Sequence, residues 1–188
     1  MINKLSRVAL TISGIMALGG CTLFDQGTTA AAPAKKPPAA DYQQASTAPA
    51  PPATSIRAIC YNAADLAVYR ARMVQMELNV ITLQCQTTGG ARAYERDYAD
   101  FLGKFKNDLA ANARSLQQMA GRKRYNVDVL VTELANRTGQ RAQVDKEFCA
   151  RGKRAFEWAL SQQVTTLDQV PAPYDIGPEM NVHPCPAP

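Results

Sequence analysis

Apolar side chains recur at helical spacing over residues 56–164, and no proline occurs between Pro52 and Pro171. The first apolar stripe advances alternately by four and three residues, which is typical of one face of an α-helix. It therefore predicts a helix over about residues 55–85. The stripe consists of Cys60, Ala64, Ala67, Ala71, Val74, Leu78, Ile81 and Cys85.

Three more helices are predicted downstream, over about residues 92–119, 126–138 and 144–163. The second stripe begins with aromatic side chains, and Asn126 is a suitable N-cap for the third helix. Short connections make successive helices antiparallel neighbours. The pattern therefore indicates an all-α fold, an up-down bundle of about four helices.

Two proline-rich segments flank the helical region. Residues 25–55 consist mainly of Ala, Pro, Thr, Ser and Gln, a composition typical of a disordered linker. Six prolines from Pro171 onward exclude a regular helix and predict an extended C-terminal tail. The expected organisation is a linker over residues 21–55 and one helical domain over residues 56–188.

The N-terminus has the layout of a secretory signal. Lys4 and Arg7 form a short basic start, residues 8–17 form an apolar run, and small residues follow. The run is too short for a helix to cross a hydrocarbon core of about 30 Å. We therefore predict a signal peptide over residues 1–20; an ordinary signal followed by a stray cysteine, or a short membrane span, is the alternative.

The sequence Leu-Gly-Gly-Cys at residues 18–21 resembles the lipobox of bacterial lipoproteins. The resemblance implies lipidation of Cys21, with palmitate among the acyl chains, and a mature chain that begins at this residue. It also implies contact with the membrane through the lipid anchor. Thr22, where an aspartate would direct retention in the inner membrane, indicates the periplasmic side of the outer membrane.

Export changes how the other cysteines are interpreted, because disulfides persist in the periplasm. Cys60 and Cys85 lie at opposite ends of the first helix, about 37 Å apart at 1.5 Å per residue, so they cannot pair with each other. In an up-down bundle Cys85 lies near the start of the fourth helix, which carries Cys149. Cys60 lies near its end, where the tail with Cys185 begins. We therefore predict the disulfides Cys85–Cys149 and Cys60–Cys185.

Three short sequences resemble a group of small exported helical proteins of Gram-negative bacteria that have no assigned activity. They are ELNVITLQC at residues 77–85, LVTELAN at 130–136 and the Phe-Cys pair at 148–149. The resemblance spans roughly residues 66–160 and agrees with a bridge between Cys85 and Cys149.

Catalytic and metal-binding patterns are scarce. The single histidine, His183, lies in the proline-rich tail, which argues against a catalytic triad on the rigid domain and against a zinc centre. The acidic residues of the second helix alternate with basic ones, which is typical of a solvated face. We therefore predict no enzyme activity, no cofactor and no metal.

Arg122, Lys123 and Arg124 form the densest basic run. It is predicted to open the third helix, where cations oppose the helix dipole. It is interpreted either as a solvated loop or as an anion contact. Cleavage after residue 20 removes two of the 21 basic residues and none of the 16 acidic ones, leaving a net charge of +3. Such a charge is no footprint of nucleic-acid binding.

These observations favour an envelope lipoprotein with a non-catalytic structural or interaction role. Its expected partner is an envelope protein or glycan. A periplasmic module that binds a small ligand is the alternative, followed by a cell-wall enzyme.

Overall fold

The computed structural model describes residues 38–44 and 59–186 of the 188-residue chain. The predicted signal peptide over residues 1–20 and Cys21 lie outside the described residues. The described residues belong to one compact unit, which is mostly helical and contains two disulfides. Its regular elements are β1 (Ile59–Tyr61), α1 (Ala63–Gln84), α2 (Glu95–Lys104), α3 (Lys106–Lys123), α4 (Val127–Val144), α5 (Phe148–Ala159) and β2 (Val182–Pro184), with short 3-10 turns at Leu167–Gln169 and Pro178–Met180.

Helix α1 lies at the centre of the unit and contacts each of the other four helices. It begins at Ala63 rather than near residue 55, because Ile59–Tyr61 form a strand and Asn62 caps the helix by accepting from the backbone N–H of Asp65 at 2.8 Å. The second half of the predicted stripe is buried, including Leu78 and Ile81.

The predicted second helix is two helices, because the chain bends at Phe105, where φ is −102° and ψ is 20°. The bend lets both Phe101 and Phe105 enter the core, with their ring centroids 5.1 Å apart. Helix α3 then continues past Gly121 to Lys123, and Arg124 ends it in a left-handed conformation with φ of 56°. The described residues therefore contain five α-helices rather than about four.

The C-terminal tail is irregular, but it is not a loosely attached extension. Proline prevents a long helix there without preventing burial, so the tail packs its apolar side chains into the core. Its end forms β2, which pairs in parallel with β1. The buried tail residues are Val164, Leu167, Val170, Ala172, Tyr174, Ile176, Met180 and Val182.

Residues 38–44 lie within the predicted linker, yet they pack against the domain. Tyr42 is fully buried, and Gln44 forms a parallel β-bridge with Tyr174 of the tail. For these seven residues the expectation of a disordered linker is wrong. The surrounding Ala and Pro residues have too little apolar surface to hold the segment in place, but the buried ring of Tyr42 supplies it.

Candidate functional site

Both predicted disulfides are present, and they hold the domain at two places. Cys85 follows the end of α1 and joins Cys149 in the first turn of α5, with a Cα–Cα distance of 5.7 Å. Cys60 in β1 joins Cys185 just after β2, with a Cα–Cα distance of 4.6 Å. The second bridge fixes the end of the tail against the start of the domain.

Two residues of the basic run are bound internally. Asp65 is almost fully buried, and its carboxylate is 2.6 Å from the Arg122 guanidinium and 3.2 Å from Lys123 Nζ. Lys123 also donates to the backbone carbonyl of Cys60 at 2.8 Å and lies over the Tyr61 ring, 4.4 Å from its centroid. The cluster therefore ties the end of α3 to β1 and to the first turn of α1.

The basic run also lies at a different point of the secondary structure from the one predicted. Arg122 and Lys123 form the last turn of α3 instead of the start of the next helix. Cations at a helix C-terminus interact favourably with the helix dipole. Arg124 is exposed. It has no ion-pair partner within residues 38–44 and 59–186. An external anion contact stays a prediction, and Arg124 is the residue of the run that could make it.

A fully buried carboxylate, Glu77, lies on α1 beneath the tail. One of its oxygens accepts the backbone N–H of Tyr174 at 2.8 Å, whereas the other has no hydrogen-bond partner in the described part of the chain. Burial raises the pKa of Glu77 well above its usual value; the hydrogen bond from Tyr174 and the charge of Arg141 oppose this shift, and the charge of Asp175 adds to it. The sequence carries no signal for this group beyond its place beside the buried Leu78.

A third buried acid, Glu179, joins the tail to α4. It forms a hydrogen-bonded ion pair with Arg141, and Arg137 lies 3.8 Å from its other oxygen. Arg137 also lies 3.8 Å from Glu133, one turn earlier on α4. These side chains are mostly buried, so the network fixes the 3-10 turn around residue 179 on the helical core.

A cleft of about 400 Å³ opens between α1, the tail and Gln43 of the docked segment. Apolar side chains form much of its lining, among them the buried Met73. Arg70, Asp168 and Asp175 contribute its charges. No salt bridge joins Arg70 or Asp168 to another residue of the described ranges. The remaining lining residues are Ala67, Ala71, Leu167, Val170, Pro171 and Ala172.

Within residues 38–44 and 59–186, no group of three or more His, Cys, Asp or Glu side chains is arranged to hold a metal ion. His183 is exposed on β2 beside the Cys60–Cys185 bridge. The described helices include none long and apolar enough to cross a membrane.

Comparison with known proteins gives no relative. No protein-family profile, curated protein or solved structure matches the chain. The candidate function therefore depends on the residues themselves.

Proposed function

We propose that the protein is an exported lipoprotein, anchored through Cys21 to the periplasmic side of the outer membrane, with a non-catalytic role in binding another envelope component. The observation that carries this proposal is the Leu-Gly-Gly-Cys sequence at residues 18–21 after a short apolar run. The two disulfides support export, because such bonds are rare in cytosolic proteins.

The non-catalytic role is supported by what the buried acids do. Asp65 binds two cations, Glu179 binds the arginines of α4, and Glu77 accepts a backbone N–H. Each of these carboxylates connects two parts of the chain that are distant in sequence. Such bonds favour a structural role for the three acids.

We also propose that the helices form an up-down bundle in which α2 and α3 together make one bent antiparallel limb. This arrangement is supported by the central position of α1 and by the bridge between its C-terminal end and the start of α5. In this arrangement α1, the bent limb, α4 and α5 form the four limbs of the predicted bundle, although the helices number five in the described residues.

A second candidate function is the binding of a small ligand in the cleft beside Arg70. Its volume of about 400 Å³ falls within the range of ligand pockets, and it combines an apolar lining with few charges. A ligand that raises the melting temperature of the wild-type domain, and has no effect on Arg70→Ala, would favour this function.

The lipoprotein proposal is tested by Cys21→Ser expressed in a bacterial host. Wild-type protein should be found in the membrane fraction, whereas the variant should be soluble or retain its signal peptide, because no acyl chain can be attached. If the variant fractionates and migrates as wild type does, the proposal is wrong.

A further inference from the structure

Residues 38–44 bind the domain as an added β-strand does. The backbone N–H of Gln44 donates to the Pro173 carbonyl at 2.9 Å, and the N–H of Asp175 donates to the Gln44 carbonyl at 3.1 Å. These two bonds form a parallel bridge along the edge of the tail. Backbone pairing of this kind is a general mode of peptide recognition.

Tyr42 is the side chain that anchors the segment. Its ring is fully buried, its hydroxyl donates to the Pro171 carbonyl at 2.9 Å, and its own backbone carbonyl accepts from Arg151 at 2.5 Å. Asp41, next to it, lies 3.9 Å from Arg154 in a half-exposed pair, which contributes little to binding. Specificity therefore depends on one tyrosine together with the backbone.

The groove that receives this tyrosine is organised by residues outside the segment. Arg151 lies 3.3 Å from Asp145, and the Tyr174 hydroxyl donates to the same carboxylate at 2.7 Å. The Arg151 guanidinium also lies 5.5 Å from the centroid of the Tyr174 ring. The groove, defined here as the surface formed by α5 and residues 171–175, therefore has its own network of bonds.

The sequence around the segment makes this attachment unusual. Between Phe24 and Ile56, Tyr42 is the only large apolar or aromatic residue in a stretch of mainly small residues and proline. Fourteen residues, 45–58, separate the segment from β1, and an extended chain of that length reaches about 46 Å. A connection of this length gives the segment a wide reach around the start of β1, so its attachment does not confine the tyrosine to the groove of its own chain.

We propose that the groove is a peptide-binding site, occupied in cis by the chain's own residues 38–44, and that the same segment of a second copy can occupy it in trans. Exchange of an identical element between copies needs no new interface chemistry. The inference deepens the proposed interaction role by naming a second copy as a partner. It does not require lipidation, so its test uses the lipid-free Cys21→Ser chain in solution.

The first test measures binding of a fluorescein-labelled peptide of residues 36–46 by anisotropy. The Tyr42→Ala chain should bind the peptide at least tenfold more tightly than the chain with Tyr42, whose groove is occupied at the high effective concentration of a tethered ligand. Asp41→Asn is the matched control and should behave as the chain with Tyr42. A peptide with alanine in place of the tyrosine should not bind.

The result that overturns the inference is equal affinity for the two chains, or no binding by Tyr42→Ala with an unchanged circular-dichroism spectrum. If Tyr42→Ala does not fold, the proposal is tested on the chain that keeps Tyr42. Excess peptide should then accelerate hydrogen exchange at the Gln44 amide, which donates to Pro173; unchanged exchange refutes the proposal.

The trans step is tested by mixing Tyr42→Ala, which has a groove without its ligand, with Arg151→Ala, which has the ligand and a weakened groove. Sedimentation should detect a dimer in the mixture and monomers in each variant alone. A mixture that stays monomeric contradicts binding between copies.

Discussion

The contact between α1 and α5 gives the most specific stability prediction, because Gly152 faces Ile81 at this crossing. Both residues are buried, and a Cβ added at Gly152 would overlap the Ile81 Cγ2 atom and lie 3.2 Å from its Cδ1 atom. The nearby Cys85–Cys149 bridge limits how far α5 can move away. Gly152→Ala should therefore strain the core at a point that cannot easily relax.

The magnitude follows from two opposing effects. Overpacking a well-packed core costs about 1–3 kcal/mol, whereas replacing glycine by alanine inside a helix returns up to about 1 kcal/mol. Gly103→Ala in α2 is the matched control, because nothing lies within 4 Å of the position its Cβ would take. The two variants should differ in free energy of unfolding by about 1–3 kcal/mol, with Gly152→Ala the less stable.

Urea denaturation followed by circular dichroism measures this difference with the disulfides intact. Gly103→Ala should be as stable as wild type or more stable. In combination with Ile81→Ala, Gly152→Ala should cost less than it does alone, because the colliding methyl groups are absent. Equal effects of the two glycine substitutions would refute the packing of α5 against α1.

Two further predictions concern buried carboxylates. Because burial raises the pKa of Glu77 well above its usual value, the folded state holds the proton of this carboxyl group more tightly than the unfolded state does. The free energy of unfolding that this proton contributes is present at low pH and is lost as the pH rises above about 4.5 and through the pKa of the folded state. Glu77→Gln should flatten this fall in stability, because glutamine does not titrate and can still accept the backbone N–H of Tyr174. Melting temperatures of wild type and Glu77→Gln between pH 4 and 8 check this. If the melting temperature falls with pH equally steeply in both proteins, the prediction is wrong. Asp65→Asn should lower the free energy of unfolding by about 1–3 kcal/mol, because it leaves Lys123 without its carboxylate partner. Arg96→Ala, which removes an exposed pair at 4.0 Å, should change it by less than about 0.5 kcal/mol; urea denaturation that finds equal losses for both would refute the structural role of Asp65.

The parts of the fold that sequence patterns predicted are the ones that depend on local periodicity. The stripe from Val74 to Ile81 placed the buried face of α1 correctly. The cysteine positions at helix ends then predicted both pairings, because a rigid helix separates Cys60 from Cys85 and leaves each near a different partner.

The remaining features depend on tertiary contacts that periodicity does not encode. The bend at Phe105 follows from the burial of two consecutive aromatic positions of the stripe. No proline marks it, and Gly103, two residues earlier, was read as part of one continuous helix. Tyr42 was assigned to a linker because its neighbours are small residues and proline, and composition does not register a single anchoring side chain. Its docking requires the groove, which is built by residues more than 100 positions away.

The candidate site was missed for the same reason. Glu77 belongs to a helical segment whose sequence gives no sign that the tail covers it, and the cleft beside Arg70 exists only once the tail and Gln43 are in place. The basic run was recognised from its charge, but the buried partner Asp65 lies 57 residues earlier in the chain. Charge density alone therefore could not show that two of its cations are bound internally.

We propose that a lipid on Cys21 holds this helical domain at the membrane. Mass spectrometry of the N-terminal peptide of mature protein, purified from the membrane fraction, tests it directly. The mature protein should begin at Cys21 and carry acyl chains on this residue. An unmodified Cys21, or a mature chain that begins at another residue, would contradict it.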